Sequence, residues 1–145
     1  MNDLNKEVLR KVRQWLTCAD EDLCLAQCGL TLMSSCPYRL IAYHAQQCVE
    51  KYLKAYLVHR KVDFPYTHNI SRLLELCVEL VSWPETIQEA KRLTSYAITT
   101  RYPGEDEEVT KEEAEQAIHL ATCVQQIVQS TLIQEGMVLS GEATT

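Results

Sequence analysis

The sequence predicts an all-α protein: an antiparallel up-and-down helical bundle of four to five helices. Two observations carry this. The chain has only four Gly and four Pro in 145 residues, so few points interrupt a helix. Apolar residues recur at three- and four-residue steps, and no Val/Ile/Thr-rich alternating run of any length competes with that pattern. The length suits one domain with a real core. We place that domain at residues 1–135 and a frayed C-terminal tail at 136–145.

The first segment runs from about Leu4 to Ser34. Val8, Val12, Trp15, Leu16, Ala19, Leu23, Ala26 and Leu30 form one apolar stripe, and Asp3 is suited to cap its start. Ser34-Ser35-Cys36-Pro37 ends it, because proline disfavours a helical residue before it. The second segment runs from about Tyr38 to His59, with Glu50 and Lys54 as an i,i+4 pair in the favourable order. A loop follows at Val62–Tyr66. Asn69 or Thr67 caps a third helix that carries Ile70, Leu73, Leu74, Cys77, Leu80 and Val81 inward.

Ser82-Trp83-Pro84-Glu85 restarts the chain as a short fourth helix ending near Thr99. Arg101-Tyr102-Pro103-Gly104 then turns it, and the acidic run Glu105–Glu108 precedes the next helix N-terminus. Thr110 and Glu113 make a capping box. The fifth helix turns Ala114, Ala117, Ile118, Ala121, Val124, Val128 and Leu132 inward.

Composition excludes several classes. The formal net charge is −6, which argues against indiscriminate binding of a nucleic-acid backbone and leaves room for a local basic stripe. No apolar run approaches the ~20 residues of a membrane helix. The start, Met1-Asn2-Asp3-Leu4, has neither a basic nor an apolar region of a signal peptide, so the expectation is a cytoplasmic protein without a membrane association. The seven cysteines are odd in number and contain no CxxC. They read as reduced core thiols. Cys24 and Cys28 lie one turn apart and could share a metal, but no second pair at zinc-like spacing accompanies them. The sequence calls for no cofactor and no metal.

The most informative stretch is His44–Ala55. At about 100° per residue, Ile41, Ala45, Cys48, Tyr52, Ala55 and Tyr56 cluster on one side. His44, Gln47, Lys51 and Lys54 fall within roughly 80° on the other. An imidazole, an amide and two ammonium groups in line suit an anionic partner such as phosphate.

These residues also resemble a known family, the HEPN domains (higher eukaryotes and prokaryotes nucleotide-binding). Trp15, Ala19, Asp22, Leu23 and Ala26 resemble the family's first-helix pattern. His44-Ala-Gln-Gln, then Glu50-Lys51 and Lys54-Ala55, resemble its second-helix signature closely. His68 with Ile70 and Leu73, and Tyr96 with Arg101-Tyr102-Pro103, resemble later features. The resemblance spans about residues 8–130. It implies a bundle that usually dimerises, and a small prokaryotic protein often paired with a minimal nucleotidyltransferase in a toxin–antitoxin module. It also implies a second possibility, since many relatives are metal-independent ribonucleases using an Arg and a His four to six residues apart.

Arg39 and His44 satisfy that string. Neutral His44 would take the ribose 2′-hydroxyl proton, and Arg39 would hold the crowded phosphate. On one ideal helix, however, five residues separate the two side chains by about 140°. They would converge only if Arg39 lay in a frayed first turn or if a partner copy completed the site. Gln47, Lys51, Lys54 and Arg101 are the candidate ligand-binding groups. Three readings follow: a nucleotide- or RNA-associated component working beside a nucleotidyltransferase, a toxin ribonuclease, and a nucleotide-sensing domain without catalysis.

Overall fold

The computed structural model describes residues 3–97 and 108–139. All its regular elements are helical: α1 (Asp3–Gly29), α2 (Tyr38–His59), α3 (Ile70–Val78), a 3₁₀ helix (Glu85–Ala97) and α4 (Lys111–Gln134). Their order follows the predicted bundle of four to five helices. α2 is the hub, packing against α1, α3, the 3₁₀ helix and α4.

That position explains a difference from the two-faced reading of α2. Alongside the expected Ile41, Ala45, Cys48, Tyr52, Ala55 and Tyr56, the helix also buries Ala42, Val49, Leu53 and Leu57. A helix with apolar residues on several sides is covered on several sides. Gln46, Glu50 and Lys54 are buried with them.

Contacts fix the directions. Asp22 meets His44, Asp20 meets Tyr52, and Trp15 lies beside Lys54, so α1 and α2 run antiparallel. Tyr52 meets Gln125 and Gln129 while Tyr56 meets Glu135, so α4 runs alongside α2 in the same sense. After a turn at Arg60 and Lys61, residues 62–69 return along α2 without regular secondary structure, which brings His68 level with Glu50. This returning segment lies over the lysine end of α2.

The ends have identifiable causes. α1 stops at Gly29, five residues before the predicted Ser34. Gly29 sits where the chain passes close to α2: a Cβ there would lie 2.8 Å from Ile41 Cγ1. Asn69 Oδ1 accepts from Arg72 N at the start of α3, and the Thr110–Glu113 capping box opens α4 as expected. α4 closes with the amide of Gly136 on Ile133 O and that of Met137 on Leu132 O, with Gly136 at φ +93°. This is the Schellman arrangement, in which a left-handed residue turns the chain back over the last turn. Met137 and Leu139 then pack on the core, and Val138 O accepts from Arg13, so the expected frayed tail does not begin at 136.

The fourth helix is 3₁₀ rather than α. Its inward residues Ile87, Ala90, Leu93 and Tyr96 recur every three positions. A helix of 3.0 residues per turn stacks such positions on one face, whereas an α-helix would rotate them steadily off it.

Seven cysteines as core thiols is an expectation the structure corrects. Only Cys48 and Cys77 are buried; Cys18, Cys24 and Cys28 are exposed, and Cys36 and Cys123 are intermediate. The reason is register. On α1, Cys24 and Cys28 stand about 120° and 160° around the helix from Val12, opposite the stripe of Val12, Leu16, Ala19, Leu23 and Ala26.

Candidate functional site

The polar stripe of α2 is placed by helical register, and its partners arrive from α1 and the 62–69 return. Two carboxylates organise it. The first is Asp22 of α1. One of its oxygens lies 2.9 Å from His44 Nδ1 and the other accepts from Lys51 Nζ at 2.5 Å. A carboxylate only accepts, so Nδ1 carries the proton and Nε2 of a neutral ring keeps its lone pair. His44 is partly open to solvent, and Nε2 has no partner among the described residues.

The second carboxylate is Glu50, which is almost fully covered. It accepts from Lys54 Nζ at 2.9 Å, His68 Nδ1 at 3.0 Å, Gln46 Nε2 at 2.5 Å and Gln47 Nε2 at 3.3 Å. Gln47 Nε2 also donates to Gln46 Oε1 at 2.7 Å. The Glu50–Lys54 pairing is the one read from the sequence. His68, which the sequence offered only as part of the family resemblance, bonds this carboxylate.

Lys54 is where the stripe departs most from an open cationic face. Its side chain is 8% exposed. The ammonium lies 5.6 Å from the ring centre of Trp15, 6.0 Å from Phe64 and 5.9 Å from Tyr66. Trp15, Phe64 and one carboxylate therefore enclose the cation, while Tyr66, almost fully exposed, stands at its outer edge; each ring is within the range of a cation–π contact. Lys51 and Gln47 remain partly accessible. Arg39 lies in the first turn of α2, exposed, and makes no hydrogen bond or ion pair among the described residues. Since that turn is already helical, Arg39 and His44 point to different sides of α2 within one chain. Arg101 falls outside the described residues.

Below the stripe, Tyr52 links three helices. Its hydroxyl bonds Asp20 of α1 and accepts from Gln125 and Gln129 of α4. Burial and then the Asp20 bond push its phenol well above the ordinary range. Burial pushes the Cys48 thiol up as well, with the charges of Asp20 and Asp22 adding to it. Both groups are inert protonated components of the wall.

An open groove of about 830 Å³ runs along α1 past Lys6, Leu9, Arg10, Arg13 and Trp15. It includes none of His44, Gln47 or Lys51, and only Trp15 touches both regions. We place the site at the α2 stripe, because convergent polar groups carry chemistry and a groove volume does not.

Sequence reasoning missed Asp22 and His68 as partners in this network, and Phe64 as its cover. Asp22 stood in the first-helix pattern, but its distance from His44, 22 residues, concealed the pairing.

The family model of the HEPN domain matches residues 12–131. The chain belongs to the HEPN family. Among solved structures it is similar to TT1696 from Thermus thermophilus, at 34% identity and a TM-score of 0.72, over 83% of this chain and 97% of that one. It is also similar to ST0689, described as an archaeal HEPN homologue, at 27% identity and a TM-score of 0.66, with the same coverage of each chain. A search of curated proteins finds no match. The HEPN bundle thus accounts for nearly all of the ordered helices described above. Among the described residues, no helix is long and apolar enough to cross a membrane.

Proposed function

We propose that this HEPN protein is a nucleotide- or RNA-associated component of a two-protein module with a minimal nucleotidyltransferase. In this reading it works as a homodimer in a toxin–antitoxin-like pair. The observation that carries the reading is the form of the α2 stripe. His44 and Lys51 are held in place by Asp22 and present a partly open imidazole and ammonium side by side. Gln47 stands beside them. Lys54 is withdrawn into the aromatic enclosure, where it supports Glu50. Lys51 and Gln47 supply donors and His44 Nε2 an acceptor at this preset surface, a combination that suits a nucleotide, whose phosphate accepts and whose hydroxyls donate. Arg101 is a further candidate contact in this proposal.

The test is co-expression of a tagged chain with its neighbouring genes at native ratios. A nucleotidyltransferase co-purifies in stoichiometric amount if the reading holds. Its absence from both the purified complex and the adjacent genes refutes it. Titration calorimetry with ATP, GTP and their monophosphates reports on the surface itself: Lys51→Ala weakens binding, and affinity unchanged by that substitution removes Lys51 from the interface.

One observation supports a second reading, metal-independent ribonuclease activity. Asp22 orients His44 so that Nε2 is the free basic nitrogen, the arrangement a general base needs. Arg39 cannot reach the same phosphate from its own chain, so the cation would come from another copy in the dimer. RNA cleavage in chelator, abolished by His44→Ala, is the expected result. Intact RNA with the wild-type protein refutes it.

A further inference from the structure

Cys24 and Cys28 stand one turn apart on the exposed side of α1, away from the α2 stripe. Positions i and i+4 are neighbours on a helix surface, so the two free thiols project from successive turns of one face. Neither thiol is needed by the core, and neither belongs to the polar network.

The helix decides what this pair can do. Residues i and i+4 hold their Cβ atoms ~5–6 Å apart. A disulfide requires a Cβ–Cβ distance of about 3.5–4.5 Å, so closing one would distort the regular turn. A metal ion inserted between the sulfurs removes that constraint. Two thiolate–metal bonds of about 2.3 Å each bridge sulfurs about 4.6 Å apart, a gap that χ1 rotation alone can set. α1 therefore opposes oxidation of the pair to a disulfide and permits its bridging by an ion. No third His, Cys, Asp or Glu joins them in a metal-holding group among the described residues, which excludes a tetrahedral zinc site built by this chain alone. Two soft sulfurs and no other ligand suit a soft d¹⁰ ion content with two ligands, of which Cu(I) is the common one.

We propose that Cys24 and Cys28 form a surface dithiol site for a soft monovalent metal ion, Cu(I) in class. Binding is a ligand exchange without redox change. Each thiol loses one proton to solvent, two sulfur–copper bonds form, copper stays Cu(I), and the bis-thiolate complex carries one negative charge.

The test is anaerobic titration of the reduced full-length protein against Cu(I) held by a coloured chelator, following loss of the chelator complex. Wild-type protein and Cys18→Ser withdraw one equivalent per chain with equal affinity. Cys24→Ser and Cys28→Ser each weaken binding by more than about 100-fold, beyond the loss expected from an outer-sphere contact. Far-UV circular dichroism of each variant separates loss of the site from loss of the fold; both positions are exposed, so helicity is retained. Three results overturn the proposal: copper left on the chelator by wild-type protein, binding that survives either single substitution, or half an equivalent per chain with copper-dependent dimerisation.

Discussion

Glu50→Ala is the sharpest perturbation of this bundle. Glu50 is 3% and Lys54 8% exposed in their side chains, at 2.9 Å, so both charges of the pair are out of water. With an effective dielectric of ~20, attraction at that distance is about 6 kcal/mol, and desolvation of the two ions offsets most of it. The net worth of the intact pair is therefore small. Removing only the carboxylate is different, because the Lys54 ammonium stays under Trp15 and Phe64 with no counter-ion. That loss is about 3–5 kcal/mol, a large part of the ~5–15 kcal/mol available to a domain. Lys54→Met costs less, about 1–3 kcal/mol, since Glu50 keeps His68, Gln46 and Gln47 as donors. The double variant Glu50→Leu with Lys54→Met falls within about 1–2 kcal/mol of wild type. Urea unfolding followed by circular dichroism measures all three, with the slope unchanged where only stability has moved. A loss below about 1 kcal/mol for Glu50→Ala would match an exposed pair and refute the enclosure of Lys54.

Three further outcomes are expected. Under native conditions a thiol reagent modifies Cys18, Cys24 and Cys28 quickly, while Cys48 and Cys77 react only on unfolding; rapid modification of all seven would contradict the burial pattern. Lys61 sits at φ +60° in the turn after α2, so Lys61→Gly raises stability by about 0.5–1 kcal/mol, the relief of a left-handed side chain less the extra freedom of unfolded glycine; a lower urea midpoint refutes this. In alkali, burial pushes Tyr56 up to about 12, with its bond to Glu135 adding to the rise, and burial does the same to Cys77. Both fold with the proton bound, and their unfolded forms release it near about pH 10 and pH 8.5. Their contribution is whole below those values and is lost as pH rises towards 12, so the urea midpoint falls across that window. Tyr56→Phe flattens the upper part of the fall, and an unchanged slope removes Tyr56 from the effect.

Much of the fold was legible because helices are local objects. The stripe of Val12, Leu16, Ala19, Leu23 and Ala26, the cap at Asn69 and the box of Thr110 and Glu113 each involve residues within a turn or two. The same register could have excluded Cys24 and Cys28 from the core, since they stand opposite Val12. The three-residue period of Ile87, Ala90, Leu93 and Tyr96 was also present in the sequence as the mark of a 3₁₀ helix.

The sequence by itself determined the helical class, most of the boundaries and the line of His44, Gln47, Lys51 and Lys54. Tertiary structure decided what that line is. Periodicity shows which side chains share a face, but the dielectric around them depends on what covers the face. Asp22 comes from 29 residues before Lys51, and Phe64, Tyr66 and His68 from a segment with no helical period of its own. Those distant groups neutralise Lys51 and bury Lys54, so an open row of cations becomes a preset polar network in which His44, Gln47, Lys51 and the exposed His68 stay within reach of a partner.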